Sequence, residues 1–371
     1  MGRDETTSGA LDLVIALCRA LEDEEIRYCH WKSNEAIDRS ASGENDLDLL
    51  IDRSDADRFG EVLHRLGFKQ ARPAPSREVP GLIDHYGFDA ASGRLVHLQA
   101  HYQLVLGDDM TKNFHLPVER AYLDSVGPEG LIRVPAPEFE LAVFVVRMIL
   151  KHSTWDAQFC LMGDLSASER RELTHLLAQV PEPGRAAAIA DRLPFLSQEV
   201  VDRCLRSLES PPSRWARASI ARARERDLAA FARYPRSVDL PRRTVRRGLR
   251  GARHVAGPPA RKRFVDGGAL IAVVGPDPAV ATSVVDGLVA WLDGALAVAR
   301  FRFAGGAADR SSVRTYGRAL RFAGNGGISI CDQFPPDHPA PDVLVELEPT
   351  DGGRPIDDVL RDAREHVWGS L

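Results

Sequence analysis

The segment from Asp46 to Asp52, Asp-Leu-Asp-Leu-Leu-Ile-Asp, constrains the fold of this chain more than any other stretch. Its pattern predicts a β-strand, in which successive side chains point to opposite faces. Asp46 and Asp48 then share one face, while Leu47 and Leu49 enter a core. Carboxylates two residues apart on a strand lie about 7 Å apart. Such a pair can hold one or two hard divalent cations.

The residues before this strand add a candidate phosphate site. Tyr28 to Lys32 reads as a short strand, and Ser33 and Asn34 follow it at the predicted start of a short helix. Backbone N–H groups at a helix start, together with a serine hydroxyl, suit a phosphate. A phosphate-binding turn followed by a metal-binding Asp-x-Asp strand is the layout of nucleotidyl transfer.

This segment resembles the polymerase beta-type nucleotidyltransferases, in which a small turn precedes an Asp-x-Asp strand. More closely, the chain is similar to bacterial nucleotidyltransferase-like proteins that are fused to a thymidylate-kinase-like domain and are often associated with polysaccharide biosynthesis. Three motifs in order carry the resemblance: Trp31-Lys32-Ser33, the run from Gly43 to Asp48, and Leu66-Gly67-Phe68.

The resemblance implies a metal-dependent transferase that moves an NMP from an NTP to an unidentified acceptor hydroxyl, with pyrophosphate leaving. Mg²⁺ or Mn²⁺ would be held by Asp46 and Asp48, and His97 would complete the catalytic set. The candidate nucleotide-binding residues are Lys32, Ser33, Asn34, Gln99, Lys112 and Lys151. The alternative is a non-catalytic double pseudoenzyme that acts as a nucleotide-binding scaffold or regulator.

The position of the third metal-binding carboxylate decides between these readings. His85 to Asp89 and Arg94 to Leu104 are predicted to form a β-hairpin, and His97, Gln99 and His101 share one face of its second strand. The matching position is His97, and no Asp or Glu occurs between Gly93 and Gly107. Neutral histidine binds Mn²⁺ or Zn²⁺ but is a poor Mg²⁺ ligand. Either His97 and Gln99 replace the acid, or metal binding is lost, or these are ordinary sheet residues.

Lysine is rare in this chain, and three of the five lysines fall in segments of interest: Lys32, Lys112 and Lys151. An ammonium group in an arginine-rich chain is more often placed where a point charge is needed. Lys112 lies in a polar loop, where it either binds an anion or is solvated. Pro135 to His152 is predicted to be a helix, and Arg147, Lys151 and His152 at its end either face the nucleotide or complement the helix dipole.

Composition excludes several classes of protein. The 371 residues carry a formal net charge of −5 and 44% hydrophobic residues, which does not suit a dedicated nucleic-acid binder. The apolar runs are too short or interrupted to span a membrane. Five cysteines without paired spacing, Cys18, Cys29, Cys160, Cys204 and Cys331, indicate reduced thiols in a cytoplasmic protein without structural zinc.

The expected fold is α/β and multidomain, in four parts. Residues 1–125 form a nucleotidyltransferase-like α+β domain with a mixed sheet, 126–235 a helical domain, 236–264 a basic linker and 265–371 a truncated kinase-like α/β domain. The run from Pro241 to Arg263 holds eight arginines, one lysine and no acid. Arg242, Arg243, Arg246, Arg247 and Arg250 would form one cationic helical face, which either contacts an anionic partner or is a solvated linker.

The C-terminal part resembles a thymidylate-kinase phosphate loop that has lost its chemistry. Ala269 to Val274 is a buried strand, and the following loop has Pro278 and Val280 in place of glycines and Ala281 in place of the phosphate-binding lysine. Gln333 replaces an arginine, whereas Thr282, Ser283 and Asp332 keep the expected side chains. We therefore expect an inactive kinase-like domain that packs against the chain or binds a protein partner.

Overall fold

The computed structural model describes residues 9–159, 164–210, 212–256, 261–303 and 310–371. The architecture is a mixed α/β structure with a mixed sheet and many helices, as predicted. Across these residues no helix is both long and apolar enough to cross a membrane. Cys160, one of the five cysteines, lies outside the described residues, and the other four are buried free thiols.

The N-terminal region contains most of the large sheet. Its elements are α1 (Asp12–Asp23), β1 (Tyr28–His30), α2 (Ile37–Ala41), β2 (Leu47–Ile51), α3 (Ala56–Arg65), β3 (Lys69–Arg72), β4 (Leu82–Asp89), β5 (Arg94–His101), β6 (Leu104–Leu106), β7 (Phe114–Leu116) and α4 (Glu119–Asp124). The strand order is β1-β2-β5-β4-β3, followed by a sixth strand from the far end of the chain. The pair β2–β5 is parallel, and its neighbours β1–β2 and β4–β5 are antiparallel.

Strand β2 is an interior strand of the large sheet, and its leucines pack into a core. Leu47 and Leu49 are fully buried in a core that α1 and α3 share with the sheet. The predicted strands are confirmed with shifts of a few residues at their ends. Before α3, Asp52 caps a short 3₁₀ turn by accepting a hydrogen bond from the Ser54 N–H, and α3 starts only after that turn.

The helical region is built around one apolar helix. Its elements are α5 (Pro137–His152), α6 (Trp155–Phe159), α7 (Ala167–Gln179), α8 (Arg185–Arg192), α9 (Gln198–Glu209) and α10 (Arg214–Asp227). Helix α5, predicted from its apolar spacing, is buried on nearly every side because α7, α8, α9 and α10 surround it.

The basic run lies in helix α11 (Arg236–Ala256). Its arginines do not form one solvated face. Arg243 is buried and binds Glu225 at 3.1 Å, and Arg246 donates to the Met110 carbonyl at 2.7 Å. Arg247 binds Asp108. Arg243, Arg246 and Arg247 thus share one face of α11, but acidic and carbonyl groups of the preceding regions bind them, so the solvated-linker alternative is wrong for these three. The side chain of Arg250 lies outside the described residues.

The last part of the chain forms a small parallel sheet flanked by helices. Its elements are β8 (Arg263–Phe264), β9 (Ala269–Val274), α12 (Pro278–Asp293), β10 (Val298–Arg302), α13 (Arg310–Gly324), β11 (Ile328–Asp332), β12 (Val343–Glu346) and α14 (Ile356–Ser370). The strand order is β10-β11-β9-β12, with every neighbouring pair parallel.

Strand pairing, hydrogen bonds and aromatic contacts join this C-terminal region to the N-terminal sheet. Strand β8 pairs antiparallel with β3, so it is the sixth strand of the large sheet. The indole of Trp368 on α14 donates to the carbonyl of Gly67 at 3.2 Å and lies near the rings of Phe88 and Phe264. The short strand β8 therefore carries the residue just before it, Lys262, toward the face of β5.

Candidate functional site

Asp46 and Asp48 lie over the same face of the sheet, as predicted. Asp46 directs its carboxylate to His97 and Gln99 on the neighbouring strand β5, and Asp48 directs its carboxylate to His101 farther along that strand. This follows from the parallel register, in which Asp48 is opposite Gln99. The two carboxylates differ in exposure, since half of the Asp46 side chain is accessible while Asp48 is buried.

His97 connects Asp46 to a third carboxylate, Asp84, that the sequence analysis missed. The ring Nδ1 is 2.6 Å from Asp46 Oδ1, and Nε2 is 2.9 Å from Asp84 Oδ1. Asp84 lies on β4, where its backbone is opposite Gln99, and its side chain is 3% exposed. The acid expected on β5 is thus supplied by the next strand.

Asp46, His97 and Asp84 form a row of side chains that ends at Lys262, and we call these four residues the ion-pair row. Lys262 was not among the predicted site residues. Lys262 Nζ lies 2.8 Å from Asp84 Oδ1 and 2.7 Å from His97 Nε2. The backbone of Lys262 belongs to the C-terminal region, because its carbonyl accepts a hydrogen bond from the Ala297 N–H. The ammonium group therefore reaches the N-terminal sheet from a segment that follows α11.

The protonation of His97 follows from this geometry. Burial lowers the pKa of His97, but hydrogen bonds with Asp46 and Asp84 outweigh burial, so the pKa is raised above its ordinary value. Burial raises the pKa of Asp84, but His97 and Lys262 outweigh it, so that pKa is lowered. Below the His97 pKa both ring nitrogens donate to carboxylates, and above it Nε2 accepts from Lys262.

The carboxylate of Asp48 forms an ion pair with a lysine of the same chain. Lys32 Nζ lies 2.8 Å from Asp48 Oδ1, and His101 Nε2 lies 3.3 Å from the same oxygen. Burial raises the pKa of Asp48, but Lys32 and His101 bring it well below its usual range. The predicted nucleotide-binding Lys32 is thus paired with a predicted metal ligand.

The predicted phosphate-binding turn is occupied by carboxylates from the helical region. Glu172 on α7 accepts from the Ser33 N–H at 3.0 Å and from the Ser33 hydroxyl at 3.3 Å, and Arg147 binds its two oxygens at 2.7 Å each. The Asn34 N–H donates to Glu140 on α5 at 3.4 Å. Ser33 has a φ of 58°, in the left-handed region that costs a non-glycine residue energy. Both N–H groups of this turn are therefore bound within the chain.

Three of the predicted lysines gather beside this turn. Burial lowers the pKa of Lys112, and repulsion from the nearby Lys32 and Lys151 adds to the effect of burial. Lys112 Nζ binds Asp109 Oδ1 at 2.7 Å, and Lys151 Nζ lies 3.4 Å from Asp109 Oδ2 and 2.9 Å from Glu169. Lys112 also has a φ of 45°. The structure thus brings the predicted lysines together, each with a carboxylate beside it.

The expected Mg²⁺ or Mn²⁺ does not fit this arrangement. The carboxylate of Asp46 turns toward β5, whereas that of Asp48 is bound by an ammonium group, so the two do not converge on one point. Across the described ranges no set of three His, Cys, Asp or Glu side chains is arranged to hold a metal ion. The charge that a cation would supply is supplied by Lys32, Lys262 and His97.

The loop before α12, whose sequence resembles a kinase phosphate loop, also has its backbone N–H groups bound by a side chain of the same region. Asp277 caps α12 by accepting hydrogen bonds from the N–H groups of Ala279 and Val280, which are groups that a phosphate loop directs at its ligand. The buried carboxylate of Asp332 is bound by Arg300 and Arg302.

No family model, curated protein or solved structure matches this chain. Its resemblance to nucleotidyltransferases therefore depends on the quoted motifs alone. The contacts of the candidate site are seen in the structure of this chain and do not depend on that resemblance; they involve Asp46, Asp48, Asp84, His97 and Lys262.

Proposed function

We propose that this chain is a non-catalytic, nucleotidyltransferase-like scaffold, in which an internal ion-pair row occupies the place of a cation-dependent active site. The observation that carries the proposal is the position of Lys262, whose ammonium group lies within 3 Å of both Asp84 and His97. A tethered cation competes with a diffusing one at a high effective concentration, because no translational entropy is lost when it binds. The row from Asp46 to Lys262 then serves structure rather than turnover.

The charges of the row support this assignment. The carboxylates of Asp46 and Asp84 lie on either side of His97, and the buried Asp84 also binds the ammonium group of Lys262. A buried carboxylate is stable only when a cation and hydrogen bonds compensate its lost hydration. Replacement of Lys262 by a hydrated divalent ion would require the ammonium group to leave and β8 to shift.

The scaffold role follows from which regions the ion pairs connect. Lys262 joins the C-terminal region to the N-terminal sheet, and Glu172 and Glu140 join the helical region to the Ser33–Asn34 turn. Arg247 joins α11 to Asp108. Ser33 and Asn34, predicted to bind the nucleotide, therefore contact the helical region instead. The surface assembled by these contacts, with those of Lys262 and Arg247, is what a protein partner would meet.

Nucleotidyl transfer is the second candidate, and one observation favours it. Lys32, Lys112 and Lys151 lie together, and Ser33 and Lys112 have left-handed backbone conformations, which are common at functional sites. On this hypothesis a triphosphate displaces the carboxylates that these lysines now bind. Asp46, half exposed, is the residue through which the two candidates can be separated.

The test measures pyrophosphate release and calorimetric nucleotide binding for each common NTP with Mg²⁺ or Mn²⁺. Wild type is compared with Asp46→Asn, and Asp38→Asn is the control because Asp38 is an exposed aspartate nearby in sequence. We expect no release, and no metal-dependent binding that Asp46→Asn abolishes. Release or metal-dependent binding that is lost in Asp46→Asn and kept in Asp38→Asn would overturn the scaffold proposal.

A further inference from the structure

A groove at the opposite end of β2 is independent of the ion-pair row. Its volume is about 380 Å³, whereas two other cavities of the chain hold about 10 Å³ each. It is lined by Ile51 and Asp52 at the end of β2, by Tyr102 and Gln103 just after β5, and by Arg120 and Leu123 on α4. The groove thus lies beyond the carboxyl ends of β2 and β5, which pair in parallel.

Two arginines of the groove bind no acid directly, although the charge of Arg120 acts on Asp52. Arg53 and Arg120 line the groove, are exposed, and make no hydrogen bond or ion pair with any residue that the structure describes. The third arginine, Arg27, is used differently. Its guanidinium binds Asp52 at 2.8 Å and also Asp124, so it braces the groove wall.

The acids of the groove already have partners within the chain. Burial raises the pKa of Asp52, but hydrogen bonds from Ser54 and the charges of Arg27 and Arg120 lower it below its ordinary value. Glu119 binds His115 at 2.8 Å and accepts from the Leu104 N–H at 2.8 Å. Two unpaired guanidinium groups are thus left facing a volume in the range of small-molecule sites.

We propose that this groove binds a small phosphate ester. Guanidinium groups recognise phosphate through paired, charge-assisted hydrogen bonds, and two of them match the double charge of a phosphate monoester better than the single charge of a carboxylate. The phenol of Tyr102 and the amide of Gln103 are placed to contact the hydroxylated remainder of the ligand. This inference does not depend on the proposed scaffold function, because none of its residues belongs to the ion-pair row.

The test is calorimetric titration of the full chain with ribose 5-phosphate and with inorganic pyrophosphate, and with ribose as the uncharged comparison. The groove variant is Arg53→Ala/Arg120→Ala. The control is Arg222→Ala/Arg226→Ala, which removes the same charge from exposed arginines of α10. Both variants change exposed side chains, and circular dichroism checks that each remains folded.

We expect saturable binding of at least one phosphate probe and none of ribose. The groove variant should bind at least tenfold more weakly, which corresponds to about 1.4 kcal/mol, and the control should bind as wild type does. No saturable binding of either probe by wild type would overturn the proposal. So would equal weakening in both variants, since that reports net charge alone, and so would unchanged binding in the groove variant.

Discussion

Replacing Lys262 with methionine tests whether the ion-pair row holds the N-terminal sheet to the C-terminal region. Methionine keeps most of the length and apolar surface of the lysine stem and removes only its charge. In the wild type the ammonium group is 2.8 Å from the carboxylate of Asp84, which is 3% exposed. Lys262→Met therefore leaves a buried carboxylate with His97 as its remaining cationic neighbour.

The magnitude follows from what Asp84 loses. Breaking a fully buried pair costs about 3–5 kcal/mol, and a hydrogen bond to a charged group contributes about 1.5–3 kcal/mol. Because His97 still binds Asp84 and Lys262 itself is 22% exposed, we expect the lower range, about 2 kcal/mol near neutral pH. The cost should increase at a pH above the raised pKa of His97, where the imidazole is neutral and Asp84 depends more on Lys262.

The assay is urea unfolding of wild type, Lys262→Met, Asp84→Asn and the double variant, followed by circular dichroism and tryptophan fluorescence. The double-mutant cycle isolates the Lys262–Asp84 coupling, which we expect to exceed about 1 kcal/mol. Arg206→Met is the control, because Arg206 is 71% exposed and pairs with a half-exposed Asp202 on the same helix, so its cost should stay below about 0.5 kcal/mol. A Lys262→Met cost as small as the control's, or a coupling near zero, would refute the reasoning.

Two further predictions concern other parts of the structure. Burial raises the pKa of Glu140 from 4.5 to about 7 in the folded state. Between these two pH values the folded chain holds a proton on Glu140 that the unfolded chain has lost, so the free energy of unfolding of the wild type should fall as the pH rises from 4.5 to about 7. Glu140→Gln should remove this fall, gaining about 3 kcal/mol over wild type above pH 7 and nothing at pH 4; an unchanged pH slope in urea unfolding would contradict it. An alanine Cβ at Gly268 would lie 1.7 Å from the Gly327 carbonyl oxygen, whereas at Gly294 nothing lies within 4 Å. Thermal unfolding should show Gly268→Ala losing about 3 kcal/mol or more and Gly294→Ala losing nothing, and equal effects would count against the close approach of the Gly268 and Gly327 backbones.

Local patterns predicted the parts of the site that depend on local structure. Alternation along β2 placed Asp46 and Asp48 on one face, and the same rule placed His97, Gln99 and His101 together on β5. Both results follow from the geometry of a strand and need no knowledge of distant residues. The apolar spacing along α5 likewise predicted an apolar helix face, because side chains three and four residues apart lie on the same side of a helix.

The parts of the site that were missed depend on contacts between distant segments. Asp84 and Lys262 are 178 residues apart, and Ser33 and Glu172 are 139 residues apart. The rarity of lysine is a usable signal for Lys262, which is one of only five lysines in the chain. Its place beside Asp84 could not be predicted, since it depends on the pairing of β8 with β3.

The scaffold proposal also explains what the C-terminal region contributes without phosphate chemistry. Its loop lacks the lysine and glycines of a kinase, and Asp277 occupies the N–H groups at the start of α12. The same region nevertheless supplies Lys262 to the ion-pair row, β8 to the edge of the large sheet and Trp368 to the carbonyl of Gly67. Each contribution requires a folded region next to the N-terminal sheet, and none requires a nucleotide. On the scaffold proposal the C-terminal region has one structural role, in which it provides the cation that the N-terminal site would otherwise take from solution.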